Sequence, residues 1–308
     1  MKNGKRHITL SVVVLTAVVT FVSFSAGSRS RGQTQQTQGE STVKPTSRIA
    51  DRPSTKSAKT SSSAFAAAAE QNATLRLELG WTFGGKPQRG WYLYELLIGT
   101  TLKTQDNSDT SDFASAVAAW QKRSGLSADG VLNEDSLMSL ISQWQSNRLK
   151  NRTAATPDQL LTAPATDFYD PSREAELRQV ERNTYAAYKR MITAALDDPT
   201  LKLARGSSGE LAPGEKYFKI ISAFRSREYQ EELRRRSPNA GSAGLAVNSP
   251  HFTGRALDIY VGGDPVDTTD FNRAIQVNTP AYRWLVRNAE RFGFRPYFYE
   301  PWHWEYVG

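Results

Sequence analysis

Cysteine is absent from the 308 residues, which excludes disulfide staples, thiolate metal sites, cysteine nucleophiles and a lipid-bearing cysteine. Histidine is nearly absent: His7, His251 and His303 are the whole complement. Imidazole chemistry beyond the amino-terminal leader therefore falls to two side chains. A folded basic face is missing as well. The formal charge is +8, but up to Thr60 ten basic residues stand against two acidic ones, and the other 248 residues carry 29 of each sign. A nucleic-acid binder carries its basic excess on a folded surface, so nucleic acid is set aside as a partner. At roughly 150 residues per domain, the length allows about two domains.

Residues 1–26 read as an export leader: Lys2, Lys5 and Arg6 precede an uncharged apolar run from Ile8 to Ala26. That run is longer than the roughly 7 to 15 residues of a cleaved signal and close to the roughly 20 that span a bilayer. It fits a cleaved signal peptide, with Ser23 and Ser25 small enough for a cleavage site, and equally an uncleaved membrane anchor. In either case the protein is expected outside the cytoplasm, in the periplasm or cell envelope. Residues 27–74 are rich in Ser, Thr, Gln, Lys and Ala with almost no large apolar side chains. Such a stretch cannot bury enough surface to offset the entropy of ordering, so a disordered linker is expected.

Apolar residues return in residues 75–145. Phe113, Val117 and Trp120 recur at spacings of four and three, one face of a helix. Ala128-Asp129-Gly130 reads as a turn, and Leu137, Leu140 and Ile141 make a second helical face behind Asn133 as N-cap. The pattern from Phe113 through Trp120-Gln121, Gly125-Leu126, Asp129-Gly130-Val131, Leu137 and Leu140 resembles the second half of the peptidoglycan-binding domain family, a three-helix bundle. That resemblance implies a small helical module that binds cell wall, without naming the contacting residues. Residues 146–166, polar and carrying Pro157 and Pro164, read as a second linker.

Residues 167–308 read as an α+β domain with a small antiparallel sheet and flanking helices. Asp170-Pro171 is expected to open a helix whose buried stripe is Leu177, Val180, Thr184, Tyr188, Met191 and Ala195. Strands are expected over 217–224, 256–261 and 302–306. Helices are expected over 227–236 and 282–292, the latter closed by Gly293.

Two short stretches carry chemistry. In Ser249-Pro250-His251-Phe252-Thr253-Gly254-Arg255-Ala256-Leu257-Asp258, a loop histidine precedes by seven residues a carboxylate inside an apolar strand, where a buried Asp is costly unless paired or metal-bound. In Glu300-Pro301-Trp302-His303-Trp304-Glu305, the other histidine follows a Glu by three residues. Two imidazoles and one carboxylate make a three-ligand zinc set with a fourth position for water, beside which a carboxylate serves as base. A lone histidine is more often a satisfied polar residue than a ligand. Here every histidine outside the leader lies in one of the two stretches, each beside a carboxylate, and the coincidence outweighs that expectation.

The segment Ser249-x-His251-x2-Gly254-x-Ala256-x-Asp258, the Glu300-x2-His303 pair and Ser222-Ala223-Phe224-Arg225-Ser226-x3-Gln230 resemble the VanY-type D-alanyl-D-alanine carboxypeptidases, in the zinc peptidase group that includes lysostaphin and the hedgehog signalling domain. The resemblance implies one zinc ion held by His251, Asp258 and His303. It also implies Glu300 as catalytic base, Arg225 on the substrate and its developing oxyanion, and Gln230 and Ser249 in the pocket for the terminal residue. Ala223 departs from the pattern, where many relatives have Gly. Glu305, adjacent to the ligand, rivals Glu300 as base; the family pattern favours Glu300. The expected function is removal of terminal D-alanine from peptidoglycan stem peptides. L,D-carboxypeptidase or endopeptidase activity on the same fold, or a zinc-retaining wall-binding protein without turnover, are the alternatives. Retention of Glu300 beside all three ligands speaks against the last.

Overall fold

A computed structural model describes residues 64–236 and 248–308. The leader and most of the first expected linker lie outside them, as does the reading of 1–26 as signal or anchor. Among the described residues no helix is long and apolar enough to cross a membrane.

The amino-terminal part opens with α1 (Ala66–Glu78), a hairpin of β1 (Gly80–Phe83) and β2 (Lys86–Arg89), and α2 (Glu95–Leu102). The two helices read from the sequence follow as α3 (Ser111–Arg123) and α4 (Glu134–Ser146). Thr110 caps α3 by accepting from Phe113 N, and Asn133 caps α4 by accepting from Ser136 N at 3.0 Å. The stripes Phe113, Val117, Trp120 and Leu137, Leu140, Ile141 meet in one core with Trp91, Leu97 and Ile98. The buried Gln121 amide ties the Asp129-Gly130 turn to α4, donating to Asp129 Oδ1 at 2.9 Å and Ser136 Oγ at 3.0 Å and accepting from Gly130 N at 2.9 Å.

The expectation of disorder through residue 74 fails over α1. Its alanines are strong helix formers, Ala68 and Ala69 pack on Ala114, and the buried Asn72 amide bonds Gly130 O and Leu132 N. A helix is ordered here by small-residue packing and two side-chain hydrogen bonds, with little large apolar area for the sequence to advertise.

The linker expected at 146–166 is likewise structured. Leu149, Leu160 and Ala163 are buried, Ala155 N donates to Phe252 O at 2.8 Å, and β3 (Leu160–Thr162) pairs antiparallel with β4 (Gln179–Glu181). Its polar residues occupy turns and its few apolar ones go inward. The helix expected from Asp170 begins instead at Arg182, as α5 (Arg182–Leu196), with Glu181 as cap and Thr184, Tyr188, Met191 and Ala195 as the buried stripe. Val180 shares that spacing but lies in β4, and Asp170 caps a turn at Ser172.

The main sheet has order β5 (Ile220–Ser222), β6 (Ala256–Ile259), β8 (Glu300–Tyr306), β7 (Phe294–Tyr297), antiparallel throughout. The strand expected over 217–224 is cut short because Phe218 takes a left-handed φ of 67°; its N donates to Tyr260 O while its own carbonyl accepts from Tyr188 Oη. Helix α6 (Arg227–Arg236) matches expectation; α7 (Asp270–Val277) and β7 were not foreseen, and α8 (Pro280–Asn288) continues as a 3-10 turn to Phe292, closed by Gly293 at φ 85°. The α5 and α8 stripes cover one face of the sheet, burying Leu257, Ile259, Trp302 and Trp304.

The connection between β7 and β8 reaches into the amino-terminal part. Tyr297, Phe298 and Tyr299 belong to the same buried cluster as Trp81, Tyr94 and Trp144. The Phe298 ring lies 4.8 Å from Phe83 edge-on, 5.3 Å from Tyr94 and 6.0 Å from Trp144. Arg273 of α7, buried and stacked 4.4 Å over Tyr299, donates to Tyr94 Oη at 3.1 Å. The helical part and the sheet thus share a core, and the described residues lie within one compact unit, Ser54–Gly308.

Candidate metal centre

Strand alternation delivers the chemistry to the sheet face opposite the α5 and α8 core. Along β8, Trp302 and Trp304 enter that core, which leaves His303 and Glu305 on the other side; along β6, Leu257 and Ile259 do the same and leave Asp258 opposite. Asp258 is the register partner of His303 across β6 and β8, and of Ser222 across β5 and β6. His251 comes from outside the sheet, on a 3-10 turn over Pro250–Thr253 whose cap is Ser249: its Oγ accepts from His251 N at 3.3 Å. Gly254 ends that turn at φ 64°, where a Cβ would lie 2.9 Å from Glu181 N on β4. Only glycine combines that conformation with that approach.

The three side chains converge on one oxygen. Asp258 Oδ1 lies 2.9 Å from His303 Nδ1 and 3.3 Å from His251 Nε2. The outward atom of each also has a partner. His251 Nδ1 is 2.6 Å from Ala223 O, so it carries the proton and leaves Nε2 with a lone pair. Asp258 Oδ2 accepts from Arg225 Nη2 at 2.7 Å, and His303 Nε2 is 3.3 Å from Glu305 Oε1. One ligand atom from each of His251, Asp258 and His303 lies within 4.8 Å of the others, and all three residues are buried. Two imidazoles and one carboxylate are a donor set that fits zinc, whose catalytic sites take three protein ligands and keep a position for water.

Burial works against a charged Asp258, but the electrostatic pull of the two imidazoles at Oδ1 and of the Arg225 guanidinium at Oδ2 outweighs it and holds the carboxyl well below its ordinary range. Burial and the Arg225 charge push His251 down to about 4. Burial also opposes charge on His303, yet its contacts with Asp258 and Glu305 prevail and raise it to about 9. Glu300, at the start of β8 and 7% exposed, is pushed up to about 7 by burial, with Asp258 adding and His303 and Arg225 opposing. A carboxyl poised near neutrality beside a hydrolytic metal set suits a general base.

The other residues named from sequence gather here too. Arg225 donates through Nε to Ser222 Oγ at 2.9 Å and through Nη1 to Gln230 Oε1 at 3.4 Å, besides its bond to Asp258. Gln230, on α6, is buried. Glu305 is not placed like a base. It is fully buried, held down to about 2 against its own burial by His303 and Arg148, and Leu149 N donates to its Oε2 at 2.9 Å. Arg148 is the residue that sequence reasoning missed, because it sits in a stretch read as linker and 157 residues from its partner.

No curated protein matches the chain. A solved structure, the vancomycin-resistance D,D-pentapeptidase VanY from a VanB-type resistance cassette, a mutant in complex with Zn(II), is 22% identical over 42% of this chain and 74% of that one, with a TM-score of 0.27. Residues 210–308 match the family VanY: D-alanyl-D-alanine carboxypeptidase. That stretch contains all three candidate ligands and Glu300, so the candidate metal centre lies wholly within the part of the chain that is similar to the VanY family.

Proposed function

We propose that the protein is a zinc-dependent D,D-carboxypeptidase that removes the terminal D-alanine from peptidoglycan stem peptides. The observation that carries this reading is the convergence of His251, Asp258 and His303 around one oxygen, with Glu300 three residues from His303 and buried beside them. Zinc, when bound by these three, supplies Lewis acidity toward water and a peptide carbonyl.

The chain's own residues supply the rest. The Glu300 carboxylate takes a proton from the attacking water as its oxygen bonds to the carbonyl carbon, and returns it to the departing amino nitrogen as the C–N bond breaks. Arg225, already at the site through Asp258, offers a permanent positive charge to the oxygen that gains charge in that step. Gln230 and Ser249, both buried near Arg225 and His251, are assigned to the pocket that receives the terminal residue. The substrate class agrees with the basic and apolar leader, which we read as an export signal or anchor placing the enzyme in the cell envelope. The helical part, by its resemblance to peptidoglycan-binding domains, is assigned to wall binding.

The test is incubation of the zinc-loaded chain with defined muropeptides and mass analysis of the products. Loss of one alanine from pentapeptide stems, with tetrapeptides untouched, is the expected result. Cleavage of tetrapeptides or of cross-links instead would replace the D,D-carboxypeptidase reading with the L,D- or endopeptidase one.

A further inference from the structure

The outer face of His303 meets Glu305, whose carboxylate is held by residues beyond the matched stretch 210–308. Arg148, just past the carboxyl end of α4, donates to Glu305 Oε1 through Nε at 3.2 Å and again through Nη2, while Leu149 N holds Oε2. The guanidinium is itself fixed. Its Nη1 donates to Gln145 Oε1 at 2.9 Å, its plane lies 3.9 Å over the Tyr297 ring, and its side chain is only 11% exposed. Both carboxylate oxygens of Glu305 are thereby pinned, and Oε1 faces His303 Nε2 at 3.3 Å.

A neutral imidazole has one nitrogen for a proton and one for a cation. A fixed acceptor at Nε2 keeps a proton there, so that the proton shared between Nδ1 and Asp258 Oδ1 is the one a cation displaces and Nδ1 is the nitrogen that turns to the ligand cluster. Stability alone is a poor reason for this arrangement, since a buried ion pair is often no more stabilising than apolar side chains of the same size. We propose that Glu305 and Arg148 are a positioning pair that fixes the ring and tautomer of His303, so that the amino-terminal helical part contributes a residue to the affinity of the metal centre. The proposal rests on the zinc reading given above.

The test is a double-mutant cycle on the full chain, with zinc dissociation constants measured by chelator competition near neutral pH and the absorption spectrum of the cobalt-loaded protein as a second readout. Glu305→Gln should weaken zinc by roughly 10- to 100-fold, the usual effect of removing an outer partner of a ligating histidine, and should shift the cobalt spectrum. Arg148→Ala should weaken zinc less, and the double variant no more than Glu305→Gln alone, because Arg148 acts through Glu305. A folded Glu305→Gln protein with wild-type affinity, or losses that multiply in the double variant, would overturn the proposal. If Glu305→Gln fails to fold with Arg148 left unpaired, Arg148→Lys decides, since it keeps the charge and loses the fork. Weakened zinc with an unaltered near-ultraviolet circular dichroism spectrum supports the pair, and unaltered affinity overturns it. A wild-type chain that binds no zinc overturns the functional reading itself; tight wild-type binding with insensitive variants overturns only the positioning pair.

Discussion

Asp258 and His303 face each other across adjacent strands with 2.9 Å between Oδ1 and Nδ1, so the nitrogen that would hold a metal carries a shared proton when none is bound. Since Asp258 and Glu305 hold His303 up to about 9, zinc uptake must displace that proton. Calorimetry in buffers of different ionisation enthalpy should show net proton release on zinc binding at neutral pH, where His303 is still protonated. Release that stays near zero at neutral pH would contradict the His303 assignment. Replacing His251, Asp258 or His303 by Ala should abolish stoichiometric zinc by metal analysis, because two remaining ligands are too few.

Glu300→Ala is expected to keep zinc and fold and to lose turnover by roughly two to four orders of magnitude. Glu300 acts as a base only when ionised, so kcat/KM should fall as pH drops below its pKa. That value is about 7 before a cation is added, and a cation nearby lowers it, so the acid limb should lie below 7. The residual rate of Glu300→Ala should lack that limb; a limb that survives belongs to another group.

Glu305 should set acid stability rather than turnover chemistry. Its folded value of about 2 lies below the ordinary 4.5, so its stabilisation is present above 4.5 and is lost as pH falls from there toward 2. The size is on the order of 3 kcal/mol. Urea midpoints of metal-free wild type and Glu305→Gln, followed from neutral pH to about 3, should converge as the pH falls. Parallel curves would mean the carboxylate is not depressed.

Phe298→Ala should cost about 3 to 5 kcal/mol, as for other buried aromatic truncations, and calorimetry of the wild type should show one transition for residues 64 onward. Two well-separated transitions would mean that the aromatic contacts at Phe298 do not couple the helical part to the sheet.

The metal set was legible in sequence because it is short-range: His251 and Asp258 are seven residues apart, and Glu300 and His303 three, so each half carries its own pattern. The stripes of α3, α4 and α5 were legible because their large apolar residues repeat at helical spacing. What escaped had weak local signals. Helix α1 is held by alanine packing and by Asn72, whose partners Gly130 and Leu132 lie about sixty residues away. The segment after α4 looked like linker because its ordering comes from partners such as Glu305 and Phe252, far along the chain. Tyr297-Phe298-Tyr299 was visible as an aromatic run, but nothing local says that its pocket is built by residues 81–144.

That pocket also constrains how such a chain is inherited. A hairpin tip of three consecutive aromatic side chains is soluble only under cover, and here the cover is encoded far upstream by Phe83, Tyr94 and Trp144. The two halves cannot be exchanged by simple recombination at their junction: a catalytic half moved next to a different partner would arrive with a sticky loop directly before Glu300. Any lineage that discards the helical part must first replace Phe298 and its neighbours with polar residues, so the composition of this one turn should reveal in related chains whether a cover is present.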